Sequence, residues 1–588
     1  MRRNWFSRQI FILFFLVLAA FFIRAYRIDF NIPYLYHIDE SGYTNLILTF
    51  FQKLNFNPGR FHAPHFYHYT MSFFYSIFFF AGVLIGKFQE ILNFQVFFTL
   101  HFPLFLLIGR YFSAILGSVN VVLVYLIAKK ICGARAGLIA AGLFAFNYLH
   151  AQYSHLVCPR ILSTFFLSLA LLFTVKFFYN KKYFWYILTG CFMGLATATE
   201  YSSVLIIISF LFAHFSGSHS FEFKFTDKLR DLKLYIGIII FIVVFCIAAP
   251  LNLSNFRGFL QGLNTELIKY KTGFLSMNRP GANPYVYYWR IFLHNTGLLF
   301  VILSALSTIY FLFKKEKVFR VIIVFPVFLL CFLLSTSYVY DQYVIPTLPF
   351  FAIAVGVFLD RLLSKIDLSG WSGKTVGKRL IYFSLVSSLL FSGVEVLKFD
   401  YYRSKKDSRI LAKEWLDSHV NADTKILTDM VVNSLPVENS SFDVQGGEGV
   451  GQSALGAGGY RGRYNEYMIF LKKKGIDPYG EKFSAITDYL KREKKYYVFE
   501  FSFPVNPEIT YAVDPDLLRS LSYYIENGYK YLLLDPKYFD NFPHSKLRAE
   551  LDVDGTLIKR FPQENLDFFN RHDFPIPSAI EIYKIGDK

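Results

Sequence analysis

Cysteine is scarce in this chain of 588 residues. The five present, Cys132, Cys158, Cys191, Cys246 and Cys331, all lie in or beside apolar segments. None falls in the polar C-terminal part, which excludes a disulfide framework there, and none has the spacing of a zinc site. They read as small buried hydrophobes. Charge is also low: Asp, Glu, Lys and Arg make up 18% of the chain, against about 25% in a soluble domain. The glycine-rich run 446–463 lacks a Gly-Lys-Ser/Thr triplet and a strand–loop–helix frame. It reads as a surface loop rather than a phosphate cradle. No internal repeat is visible, which argues against a transporter built from repeated halves. No small-x-small cleavage site follows the apolar run Ile10–Phe22, so that run reads as an uncleaved span.

What the chain has instead is apolar bulk. Hydrophobic residues make up 54% and mean hydropathy is +0.36, which places the chain among membrane proteins. Seventy Phe and forty-one Tyr suit lipid-facing surfaces and interfacial belts. Apolar runs near 10–25, 111–130, 136–150, 161–178, 184–199, 201–217, 234–250, 291–313, 319–336, 342–359 and 379–397 predict about eleven spans. With that count the basic clusters fall on one side. They are Arg2, Arg3 and Arg8; Lys129, Lys130 and Arg135; Lys176, Lys181 and Lys182; Lys224, Lys228, Arg230 and Lys233; Lys314, Lys315, Lys317 and Arg320; and Arg361, Lys365, Lys374, Lys378 and Arg379. The positive-inside rule makes that side cytoplasmic. It also accounts for the net charge of +18 without a nucleic-acid partner, for which no motif occurs. The same parity reads 66–86 as an interfacial or re-entrant helix with its His and Tyr on a wet face.

Two long external segments follow, 26–110 and 251–290, and the chain leaves the membrane near Lys398. Residues 1–399 are therefore expected to form an α-helical polytopic membrane domain. Residues 400–588 are expected to form an external soluble α/β domain, with a helix at Arg409–Val420 and strands at 425–428, 494–501, 529–534 and 580–585. Asn252–Ser254 and Asn439–Ser441 fit the glycosylation sequon.

Asp39 and Glu40 stand just beyond the first span. Carboxylates near lipid are costly unless partnered or used. The pair is either the acidic start of a helix over 41–52, complementing its dipole, or a general base with a neighbour that orients it. Arg110, Arg160, Arg257, Lys269, Lys271, Arg279 and Arg290 map to the external side, where an anionic leaving group would need them. His37, His62, His65, His68, His150 and His155 also map near that face. They read as headgroup-level residues, and no metal or other cofactor is assigned.

Several stretches together resemble the GT-C glycosyltransferases, and most closely the protein O-mannosyltransferase and aminoarabinose-transferase branch. They are Tyr36-His-Ile-Asp-Glu40, Leu54-Asn-Phe-Asn-Pro58, Phe61-His-Ala-Pro-His65, Gly109-Arg-Tyr-Phe-Ser-Ala-Ile-Leu-Gly117, Tyr153-Ser-His-Leu-Val-Cys-Pro159 and Gly194-Leu-Ala-Thr-Ala-Thr-Glu-Tyr201. Weaker echoes are Asn283-Pro-Tyr-Val-Tyr-Tyr288 and Tyr343-Val-Ile-Pro-Thr-Leu-Pro349. The resemblance implies a GT-C-like membrane domain and a polyprenyl-phosphate sugar donor. It implies transfer at the external face to a glycan, lipid or protein acceptor, with Asp39 as base and Glu40 beside it. Arg110, Arg160, Arg257, Lys269, Arg290, His155 and Tyr343 become donor or phosphate contacts. Three positions depart from the family pattern: Arg160 where relatives tend to carry an acid, Glu200 where they carry Lys, and Gln342 where they carry Arg. Arg160 and Glu200 are either an ion pair of exchanged polarity or independent drift. The alternative functions are a non-catalytic binder of lipid-linked sugar, an assembly protein, or a lipid-carrier transporter.

Overall fold

The computed structural model describes residues 2–30, 32, 38–59, 61, 63–216, 225–272, 283–314, 316–368, 374–421, 424–428, 497–500, 520–534, 536, 545–562 and 579–586. The glycine-rich run 446–463, His37, His62, Arg279, Lys224, Lys315 and the sequon 439–441 lie outside the described residues. The described chain is predominantly helical and falls into two compact units. One comprises Met1–Ile28, Phe56–Phe74 and Leu107–Tyr401, and the other Asp29–Asn55, Tyr75–Leu106 and Tyr402–Lys588.

Each of the eleven segments expected to cross is helical over at least part of its length. Among the described residues, five candidate spans are long and apolar enough on their own: Arg8–Ala25, Phe102–Cys132, Pro159–Tyr179, Asp341–Asp367 and Thr375–His419. Ala134–Ala145, Tyr201–Ser216, Leu232–Ala248 and Val318–Leu334 are shorter apolar helices. The chain is a multi-pass membrane protein by these lengths and compositions. The segment expected as one span over 291–313 is instead broken. Pro284–Thr296 and Leu298–Phe313 meet at 113°. The cause is Gly297, at φ +82°, where only glycine is unstrained.

In the first unit, Leu232–Ala248 packs along Tyr183–Thr199. Gly190 and Gly194 permit it: a Cβ on Gly190 would stand 2.4 Å from the Gly237 carbonyl oxygen, and one on Gly194 2.8 Å from that of Phe241. Small residues one turn apart let helix backbones approach in this way. Arg24, fully buried, closes a neighbouring joint. Its Nη1 donates to the carbonyls of Ala20 at 3.0 Å and Ala145 at 2.8 Å, and its Nη2 lies 3.3 Å from His150 Nδ1. Ala145 ends the helix Ala134–Ala145, so Arg24 occupies a carbonyl that the helix itself cannot satisfy.

The helix Phe66–Leu84 reverses one expectation. His65, Tyr67, His68 and Tyr75 are buried, while Phe73, Ile77, Phe80 and Leu84 are exposed. The outward face is the apolar one, and the polar side chains turn into protein.

Among the described residues of the second unit, five strands form one sheet: β1 (Lys425–Thr428), β2 (Tyr497–Glu500), β3 (Tyr529–Leu534), β4 (Gly555–Pro562) and β5 (Ala579–Ile585), in the order β2-β1-β3-β5-β4. β1 runs parallel to β2 and β3, and β5 antiparallel to β3 and β4. Alternation sorts the side chains. Ile426, Leu533, Ile580 and Ile582 pack on Ala412 and Leu416 of the helix Ser408–His419. Leu427, Leu532, Leu534, Tyr583 and Ile585 pack on Leu521, Tyr524 and Leu551. A phenylalanine cluster fills the earlier part of this unit. Phe98 and Phe105 stack at 3.8 Å between centroids, and the Tyr75 hydroxyl donates to the Phe105 carbonyl at 2.8 Å.

Candidate functional site

Arg160 follows Pro159, which opens the helix Pro159–Tyr179 at a position where a missing N–H costs nothing. Its side chain is almost wholly buried, and Nη2 stands 3.7 Å from Glu200 Oε1. Glu200 caps the C-terminus of Tyr183–Thr199 in extended backbone. The Arg160 guanidinium carbon also lies 4.5 Å from the centre of the Tyr343 ring, within cation–π range.

Tyr343 belongs to the 3-10 helix Asp341–Thr347 and to a set of four tyrosines. Tyr270 lies 5.9 Å from Tyr343 and 6.0 Å from Tyr338, Tyr338 lies 5.0 Å from Tyr340, and Tyr340 lies 6.1 Å from Tyr343, all between ring centroids. Tyr270 comes from the amphipathic helix Phe256–Thr272, whose end is tied by the Ser337 N–H donating to the Tyr270 carbonyl at 2.8 Å. Burial pushes the Tyr270 hydroxyl well above its ordinary range, so it remains a neutral donor. Immediately before it, Lys269 lies 3.2 Å from Glu266 and 4.5 Å from the centre of the Tyr338 ring. Beside this set, Tyr153 donates its hydroxyl to buried Asp341. His155 Nε2 stands 3.7 Å from Asp400 Oδ1, with Nδ1 2.9 Å from the Ala151 carbonyl.

Of the residues expected to contact donor, Arg160, Lys269 and Tyr343 come together. His155 stands with Asp400. Arg110 is buried within Phe102–Cys132 and donates from Nη1 to the Ile28 carbonyl at 2.8 Å. Arg257 and Arg290 are exposed, on Phe256–Thr272 and Pro284–Thr296. In the second unit, Asp39 and Glu40 occupy the first turn of the helix Ile38–Lys53, Asp39 half-buried and Glu40 buried. Acids there complement the helix dipole, so the structural and the chemical roles of the pair are compatible. Sequence reasoning missed Glu266, Tyr270, Tyr338, Tyr340 and Asp341. The available signal was the run Tyr338-Val-Tyr-Asp-Gln-Tyr343, polar and aromatic at the mouth of a span. Among the described residues, no group of three or more His, Cys, Asp and Glu is placed to hold a metal.

Fold and site together define a multi-pass helical membrane protein with a partly buried cluster of tyrosines and cation–carboxylate pairs. Residues 95–248 match the family model described as dolichyl-phosphate-mannose-protein mannosyltransferase. That match bears out the resemblance to the GT-C glycosyltransferases of the mannosyltransferase branch. No curated protein matches the chain by sequence. Among solved structures, the chain is similar to ArnT from Cupriavidus metallidurans bound to undecaprenyl phosphate, at 11% identity and TM-score 0.49 over 98% of each chain. It is also similar to the archaeal oligosaccharyltransferase AglB from Archaeoglobus fulgidus in complex with an inhibitory peptide and a dolichol-phosphate. That likeness is at 12% identity and TM-score 0.48, over 94% of this chain and 73% of that one.

Proposed function

We propose that this protein is an integral-membrane glycosyltransferase that moves a sugar from a polyprenyl-phosphate donor to an acceptor at the external membrane face. The match of residues 95–248 to a family of lipid-phosphate-dependent mannosyltransferases carries the reading. In it, the N-terminus is cytoplasmic, eleven spans make up residues 1–399, and residues 400–588 form an external α/β domain that presents the glycan, lipid or protein acceptor.

The reaction is a single displacement. An acceptor hydroxyl gives its proton to the Asp39 carboxylate, and its oxygen bonds to the anomeric carbon. The bond from that carbon to the phosphate oxygen breaks, and polyprenyl phosphate leaves as the anion. One displacement inverts the anomeric configuration. Glu40, buried beside Asp39, fixes the orientation of the base. Arg110, Arg257 and Arg290 offset the charge that develops on the leaving phosphate, and Arg160, Lys269, His155 and Tyr343 hold the rest of the donor.

The test is release of polyprenyl phosphate by purified protein given a polyprenyl-phosphate sugar and an acceptor. Asp39→Asn is expected to abolish release. Full release by that variant overturns the base assignment. Transport of the lipid without transfer favours a carrier, and binding alone favours an assembly protein.

A further inference from the structure

The cations of the tyrosine cluster do not await an anion. Arg160 faces Glu200 at 3.7 Å, and Lys269 faces Glu266 at 3.2 Å. Each cation also lies over a tyrosine ring, Arg160 over Tyr343 and Lys269 over Tyr338. Those two rings are buried, while Tyr270 and Tyr340 are half-buried, so the rings reachable from outside belong to the latter pair. A phosphate entering here meets two carboxylates as well as two cations. Like charges set against an incoming group are how a site rejects it. A neutral ring bearing several hydroxyls meets no such repulsion. Its hydroxyls donate to Glu200 and Glu266 and accept from Arg160 and Lys269, and its C–H face lies on an amphipathic phenol ring.

We propose that the cluster of Tyr270, Tyr340, Glu200, Glu266, Arg160 and Lys269 is the subsite for the sugar ring of the lipid-linked donor, and that the lipid phosphate is held elsewhere. The ligand class is a neutral pyranose or furanose with adjacent hydroxyls. This refinement rests on the glycosyltransferase reading for the identity of the donor, while its test reads binding and needs no turnover.

The full-length protein in nanodiscs is titrated with undecaprenyl phosphate, bare and carrying mannose, glucose or arabinose. In the wild type at least one glycosylated lipid binds more tightly than the bare one. Tyr270→Ala with Tyr340→Ala is expected to weaken that lipid about tenfold, for the loss of two ring faces and their hydroxyls, and to leave the bare lipid within about twofold. Glu266→Gln is expected to lower the affinity for the glycosylated lipid alone. Tyr270→Phe with Tyr340→Phe keeps both rings and the fold, and recovers part of the loss. Equal weakening of bare and glycosylated lipid, or no preference for any of the three sugars in the wild type, overturns the proposal. If the sugar preference and its loss are seen but no transfer occurs, the subsite stands and the catalytic reading falls. Transfer with no effect of the tyrosine variants on binding gives the reverse.

Discussion

Arg160 Nη2 lies 3.7 Å from Glu200 Oε1, and each of the two charges stands at the end of its own helix that disfavours it. Arg160 is in the first turn of Pro159–Tyr179, where the macrodipole is positive, and Glu200 closes Tyr183–Thr199, where it is negative. The two helices pack on each other, so each misplaced charge is answered by the other rather than by its own helix.

Exchange of polarity is therefore expected to be tolerated. Either single change, Arg160→Glu or Glu200→Arg, sets like charges together in a largely buried place and costs about 3–5 kcal/mol. The double variant restores attraction and turns both dipole terms favourable, about 0.3–1 kcal/mol each. Thermal unfolding in detergent is the measurement, and it is independent of any role in sugar binding. A double variant no more stable than the worse single one would show that the pair contributes nothing.

Gly297 offers a test of the broken span. Its backbone, at φ 82° and ψ 151°, lies where residues with a side chain are strained, and a Cβ would stand 2.7 Å from Phe391 Cδ1. Gly297→Ala is expected to cost about 2–4 kcal/mol, from strain and contact together. Phe391→Ala in the same chain relieves only the contact, so the double variant should fall short of the summed losses by about 1 kcal/mol. Additive losses would mean that the contact is absent and strain alone acts.

What the sequence disclosed follows from what periodicity can carry. The strand over 529–534 was legible because Tyr529–Leu534 is a β-rich apolar run stopped by Asp535-Pro536, and the structure makes it β3. β4 was not, because Gly555–Pro562 is exposed along much of its length and reads as polar chain; its pairing with β5 makes it a strand. The Arg160–Glu200 pair was open to inference from two departures of opposite sign. The tyrosine cluster was not, since Tyr270 and Tyr343 are far apart in the chain and the contacts of Phe256–Thr272 are tertiary. The buried histidines of 65–68 misled because the helix Phe66–Leu84 turns its apolar side chains outward and its polar ones inward, the reverse of the usual amphipathic rule.

In the proposed reaction the acid pair divides into two roles, and kinetics would separate them. Asp39→Asn removes a proton acceptor and keeps the shape, so turnover should fall about 10²–10⁴-fold with little change in donor affinity. Glu40→Gln changes a buried neighbour, Glu40 being 1% exposed, and should lower turnover by only about tenfold. Rates of polyprenyl phosphate release, with donor binding measured separately, decide the matter. Equal losses in the two variants would make the carboxylates a shared unit, and a loss confined to Glu40→Gln would exchange their roles.

Arg24 provides the last test, on how the helix carrying Tyr153 is held. Its guanidinium spans the carbonyls of Ala20 and Ala145 from within the first helix. Just beyond, Asn147 caps Tyr148–Ser154 by accepting from the His150 N–H at 3.0 Å. Arg24→Met keeps the bulk but removes the side-chain donor: the Ala20 carbonyl keeps its partner in the helix Arg2–Ala25, whereas the Ala145 carbonyl at a helix end loses its own, at about 1–3 kcal/mol for that buried group. Arg24→Lys can reach one carbonyl but not fork between two, and should recover part of the loss. Because Cys158 is buried three residues after His155, loosening of this joint should also speed its alkylation in a chain where the other four cysteines are serine. An Arg24→Met protein that melts within about 1 °C of the parent, with Cys158 still protected, would show that the joint holds without the arginine.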